Sequence, residues 1–145
     1  MHPVMSSSSF RRFAESRGMT CAADLHDVLV GRLRHARAYH DSHPEHSKDP
    51  VVDARRAASH GSVIAYSWII SEQEKMVAEA TDMSCAMKFM ATLKTLRQEA
   101  RARAASLPEH SKRHEIRHAR AQYIGAAGAF DNAISDLNAM MAKNN

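Results

Sequence analysis

Cysteine, glycine and proline are all scarce in this chain, at two, five and four among 145 residues. Cys21 and Cys85 are too few to staple a secreted mini-domain, and they fit a reduced, cytoplasmic setting. Nine glycines and prolines imply few turns and favour helices over strands. Aromatic residues make up 6%, and none interleaves with the basic residues as a single-strand stacking platform would need. Long apolar runs are missing as well. The longest, Val63–Ile70, is broken by Ser67 and is far short of a membrane span. The opening MHPVMSSSSFRRF lacks the apolar region of a secretory signal, so residues 1–18 are expected to be a flexible segment with a short helix around 9–17. There is no Gly-x-Gly, no strand-turn-helix pattern and no Gly-x-Ser-x-Gly. Phosphate loops, dinucleotide fingerprints and Ser/His/Asp catalysis therefore find no support.

What is present is a repeat. Pro44-Glu45-His46-Ser47-Lys48 recurs unchanged as Pro108-Glu109-His110-Ser111-Lys112, 64 residues on. Aligned at that offset without a gap, residues 19–79 and 83–143 share 21 identities in 61 pairs, among them Cys21 with Cys85, Leu29 with Leu93 and Gly61 with Gly125. Duplication of one helical hairpin explains this match better than chance does.

Each copy carries apolar residues at helical spacing. Ile116, Tyr123, Ala127, Phe130, Ile134, Leu137 and Met141 form one stripe, matched in the first copy by Val52, Ser59, Val63, Tyr66, Ile70, Gln73 and Val77. Leu25, Leu29, Leu33, Ala36 and Tyr39 form another, and Ala86, Met90, Leu93, Leu96, Ala100 and Leu107 a fourth. These predict helices near 21–41, 45–79, 83–106 and 110–142. Thr20 and Ser84 are candidate N-caps, and Ser42 with Glu45, like Ser106 with Glu109, has capping-box spacing, with Ser47 and Ser111 as alternative starts. The expected fold is all-α: an up-down-up-down four-helix bundle over 19–145, made of repeats 19–79 and 83–143. Gly61 and Gly125 would mark close helix contacts within it.

That connectivity gathers charge. Residues 30–60 and 94–121 hold 14 Lys/Arg, seven Asp/Glu and eight of the ten histidines, whereas the rest of the chain is net acidic. One pole is therefore basic, through Arg32, Arg34, Arg37, Lys48, Arg55 and Arg56, and through Arg97, Arg101, Arg103, Lys112, Arg113, Arg117 and Arg120. An anionic protein or nucleic acid could bind there. The residues expected to meet it are Arg37, His46, Lys48, Arg55, Arg56, Arg101, His110, Lys112, Arg113, Arg117 and Arg120. Solvated helix faces are the plainer explanation of the same charges.

His114-Glu115-Ile116-Arg117-His118 is a literal HExxH, whose two imidazoles share one helix face and could hold Zn²⁺. A downstream third ligand would have to be Asp131 or Asp136. The aligned positions of the first copy are Pro50, Val51 and Ala54, so the motif is not ancestral. Only Glu115/His118 has the Glu-x-x-His spacing of di-iron bundles on these helices, which counts against ferritin-like chemistry.

The leading expectation is thus a non-enzymatic adaptor or regulator without cofactor, binding an anionic partner at the PEHSK end. One alternative is a homodimeric inhibitor or structural module that packs through Trp68, Ile69 and Met76. The other is a metal-dependent enzyme at residues 114–118.

Overall fold

The structure, a computed structural model, describes residues 5–43, 45, 47–79 and 84–143, with the side chains of Ser84 and Cys85 outside that description. Five helices account for most of it: α1 (Ser7–Ser16), α2 (Thr20–Asp41), α3 (Pro50–Glu79), α4 (Ser84–Ser106) and α5 (His114–Lys143). No strand occurs among the described residues, and no helix there is long and apolar enough to cross a membrane.

The helix starts show how the serines act. Ser42 Oγ donates back to Tyr39 O and Ser106 Oγ to Arg103 O, both at 2.7 Å. These two equivalent serines close α2 and α4, and the capping boxes assigned to them do not form. Ser47 and Ser111 fold the turns instead, by accepting from the N–H groups of Asp49 and Arg113. Asp49 Oδ1 then accepts from Val51 N–H and leads into α3, whose first residue is Pro50. The second and fourth expected helices therefore begin later than read, at 50 and 114. Thr20 is the first residue of α2 after an uncapped Met19, so the cap assigned to it is also absent. Ser84 opens α4, but its proposed side-chain cap lies outside the described residues, as does any pairing of Cys85.

α3 and α5 form the closest pair. Their contacts advance together, Asp53 with His114, Ser62 with Gly125 and Tyr66 with Asn132, so the two helices run in the same direction. Glycine makes the approach possible. A Cβ at Gly61 would stand 2.0 Å from Gln122 O, and one at Gly125 1.8 Å from Ala58 O. α2 lies antiparallel on α3, with Gln73 Nε2 donating to Ala22 O at one end and the His40 and His60 rings meeting at the other. α4 lies likewise on α5, where Arg101 reaches Asp131 and Arg103 reaches Tyr123.

The predicted stripes supply the main core, in which Leu29, Ile70, Leu93 and Leu137 are fully buried. Tyr39 departs from its stripe and is exposed. So does the proposed dimer contact: Ile69 is fully buried in the core and Met76 packs against it, leaving only Trp68 at the surface.

Residues 5–18, expected to be a flexible segment with a short helix around 9–17, carry that helix as α1, docked on the other helices. Ser6 caps α1 by accepting from Ser9 N–H, and Gly18, at φ 71°, turns the chain into α2. Phe10 and Ala14 are completely buried in a second cluster with Ala22, Ala23 and Val77. Phe10 stacks on His26, with ring centroids 4.0 Å apart, and His26 Nε2 lies 2.9 Å from Glu74 Oε1. Met5 N–H donates to that same carboxylate oxygen at 2.8 Å.

Candidate functional site

The α2–α3 and α4–α5 turns lie at the same end of the molecule because successive helices alternate in direction. Between the amino-terminal halves of α3 and α5 they open a cleft of about 770 Å³. Arg55, Arg117, Arg120, His110 and His118 line it, with Asp53 and Glu109 as the acidic members. Val51 and Ile124, 56% and 45% exposed, add an apolar element. Arg117 also shapes the rim, since its Nη1 donates to Ser111 O at 2.7 Å.

Other candidate residues surround the cleft. Lys48, Lys112 and Arg113 are exposed on the turns, and Arg37 is exposed near the end of α2. Arg56 and Arg120 occupy equivalent places in the two halves, each half-buried with an Nε that lacks a partner among the described residues. Arg101 is held away, since it donates twice to Asp131, which also takes Arg97. His46 lies outside the described residues.

The cations divide by partner. Among the described residues, carboxylates pair with Arg11, Arg32, Arg97, Arg101 and Lys75. None lies within ion-pair distance of Arg34, Arg37, Lys48, Arg55, Lys112, Arg113, Arg117 or Arg120. Arg12, Arg17, Arg56, Lys88, Lys94, Arg103 and Lys143 also lack a carboxylate within that distance among the described residues. What marks the turn pole is that seven of the first eight unpaired cations lie close together there, on or beside the two turns.

Histidines form a second feature. His40 faces His60 at a ring distance of 5.5 Å, and His114 faces His118 at 5.7 Å. Partial desolvation of the ring, in a residue that is exposed overall, lowers the His60 pKa below its ordinary value, helped by the nearby positive charge of His40, His118 and Arg56. The folded protein therefore binds less proton at His60 than the unfolded chain does. The resulting stability is complete above the unfolded value of about 6.5 and is lost as pH falls through it toward the lower folded value. With chelator present, His60→Gln is expected to flatten part of the loss of urea stability between about pH 7.5 and about pH 5.5. An NMR titration placing His60 above the ordinary histidine range would contradict this.

The HExxH segment forms the first turn of α5. Glu115 is exposed and lies about 100° round the helix from His114. Asp131 and Asp136, the expected third ligands, are held by arginines: Arg97 and Arg101 bind the first, and Arg32 binds the second through two hydrogen bonds of 2.6 and 2.9 Å. The carboxylate beside the imidazoles is Asp53 of α3, whose Oδ2 lies 2.9 Å from His114 Nε2. Sequence reasoning missed it because the contact spans 61 residues and requires the α3/α5 register. The repeat held a clue, since the position equivalent to 53 is 117, inside the same turn. Comparison of the chain with protein-family models, with curated proteins and with solved structures finds no match.

Proposed function

We propose that this chain is a non-enzymatic helical interaction protein, an adaptor or regulator of the cytoplasm, that holds an acidic segment of a partner protein at its turn pole. The supporting observation is the concentration of Arg55, Arg117 and Arg120 around the α3/α5 cleft, none of them within ion-pair distance of a carboxylate among the described residues. Exposed Val51 and Ile124 favour a peptide, since apolar side chains could enter with the acidic ones. Single-stranded nucleic acid is less favoured, because no Phe, Tyr or Trp lines the cleft.

We read the scaffold as an up-down-up-down bundle produced by duplication of a hairpin. Three reciprocal features support this reading. Gly61 approaches Gln122 as Gly125 approaches Ala58, and 122 is the position equivalent to 58. Ser42 and Ser106 close their helices alike, and Ser47 and Ser111 accept the same turn hydrogen bond.

Fluorescence anisotropy with a labelled, glutamate-rich peptide containing leucine tests the binding reading, with a short mixed-sequence DNA duplex as competitor. Binding is expected to weaken with salt. The double reversal Lys48→Glu/Lys112→Glu should cost roughly tenfold in affinity, and Lys75→Glu/Lys143→Glu at the other end less than about twofold. Equal losses at the two ends, or a stronger hold on the duplex, would sink the acidic-peptide assignment.

One observation favours a second reading. Where α4 stands off from α3, a groove of about 390 Å³ exposes Ile64 and Trp68, 55% and 37% accessible, beside Leu96 and Phe130. A homodimeric packing module would use this face, and a monomer at high micromolar concentration by sedimentation would rule it out.

A further inference from the structure

We propose that Asp53, His114 and His118 form a binding site for a divalent transition metal ion, with Zn²⁺ as the best-matched probe. One donor atom from each side chain lies within 4.8 Å of the other two, and the closest pair, Asp53 Oδ2 and His114 Nε2, stands 2.9 Å apart. A tetrahedral ion with ligands at 2.0–2.2 Å needs its donors about 3–3.5 Å from one another, so modest side-chain rotation closes the set. Two imidazoles and one carboxylate suit zinc and its neighbours better than calcium or magnesium, which prefer all-oxygen shells.

The backbone supplies the convergence. His114 and His118 are one helical turn apart on α5, and Asp53 comes from the first turn of α3 across the cleft. His118 carries a further sign: its Nδ1 is buried without a hydrogen-bond partner, while its Nε2 lies 3.1 Å from Gln122 Nε2. Metal ligation through Nδ1, with the tautomer exchanged and the Gln122 amide turned, would satisfy both nitrogens. Three protein ligands leave a fourth position, and His118 lines the cleft, so water or an incoming anionic group would complete the shell there. This arrangement differs from the HExxH reading in both ligand and role. The third ligand comes from upstream, Glu115 lies off the site, and no hydrolytic step is assigned.

The site crosses from one hairpin to the other, so an ion there would tie α3 to α5 at the open end of the cleft. The test uses the untagged full chain, stripped with chelator and titrated with Zn²⁺ against a chromophoric chelator, and separately with Co²⁺ followed by its visible absorption. One equivalent of each ion is expected, with a Co²⁺ band of four- or five-coordinate intensity and a rise in melting temperature. Asp53→Asn keeps the size of the side chain and an acceptor for His114, so it separates metal ligation from the hydrogen bond. It should weaken Zn²⁺ by about 100-fold or more, as should His114→Ala and His118→Ala, exceeding the 10–100-fold cost typical of an outer-shell partner. His110→Ala and Asp131→Asn should cost less than about tenfold. Zinc affinity unchanged in Asp53→Asn would assign any bound ion to histidines alone and overturn the site. Absence of stoichiometric binding in the parent chain would overturn it equally.

Discussion

Replacing Gly61 and Gly125 together by alanine is expected to lower unfolding free energy by about 3 kcal/mol, although alanine is the better helix former by about 1 kcal/mol at each position. The reason is what each new Cβ would meet. At 2.0 and 1.8 Å from the carbonyl oxygens of Gln122 and Ala58, the atoms overlap with backbone, which cannot rotate aside as a side chain can. The helices must part, and parting them opens the contacts of Tyr66, Phe130 and Ala127 behind the crossing. Overpacking of this kind costs typically about 1–3 kcal/mol per site. Each single variant should lose about 2 kcal/mol, and the double less than the sum, because the first replacement already separates the pair. Gly128 is the internal control. It is exposed on α5, and a Cβ there meets nothing within 4 Å. Gly128→Ala should therefore gain up to about 1 kcal/mol. Urea unfolding of the variants would measure these signs, and a stabilised Gly61→Ala would mean that the close crossing does not exist.

Glu74→Ala is expected to cost about 2–4 kcal/mol and to release α1, because it strips buried His26 of its only hydrogen-bond partner among the described residues. The same change removes the acceptor of Met5 N–H, which holds the start of the α1 segment. Limited proteolysis between residues 5 and 18 would report the release. The repeat provides a stringent companion experiment. Sixty-four residues on, the positions of His26, Gln73 and Glu74 are occupied by Met90, Leu137 and Asn138, and Met90 and Leu137 are buried. Importing that set as His26→Met/Gln73→Leu/Glu74→Asn removes the polar groups together rather than stranding one, and should fall within about 1 kcal/mol of the parent. A triple variant as damaged as Glu74→Ala would mean that the cost lies in the Phe10–imidazole stack or in the lost acceptor of Met5 N–H, not in a stranded His26.

Much of the helical plan was legible in the residues, because apolar spacing and a duplicated sequence report the same thing independently. Leu29 and Leu93, or Ile70 and Ile134, are equivalent in sequence and buried alike. The helix starts were harder. Ser-x-x-Glu occurs at Ser42 and Ser106, but a serine at a helix end can as easily donate to the carbonyl three residues back, and here it does. The helix at 9–17 was legible but its docking was not, because its buried surface rests largely on Phe10 and Ala14, too little to stand out in a serine- and arginine-rich segment. The basic pole was legible as composition, since hairpin connectivity alone brings the turns together. Which cations stay unpaired was not, because Asp131 and Asp136 reach arginines 30 to 104 residues away. Asp53 beside His114 was hidden for the same reason: a contact between parallel helices depends on register, and register here depends on two glycines.

The flanks of that crossing carry a further consequence. A groove of about 580 Å³ beside α2 includes Arg32, His35, Ser59 and Ser62, and the groove beside α4 includes Leu96, Glu99, Tyr123 and Ala126. Each residue of the second set stands 64 places after its counterpart in the first. Two separate copies of one hairpin, paired as a homodimer, would present the same groove twice, and any change in one would be copied into the other. Covalent linkage lifts that constraint. Within this single chain one groove carries Arg32, His35 and Arg55 while the other exposes Ile64 and Trp68, so equivalent places in the two halves offer chemically unlike faces. A change on one face need not be matched on the other, whereas Gly61 and Gly125, at the crossing between them, are the same residue in both halves and meet the same steric limit.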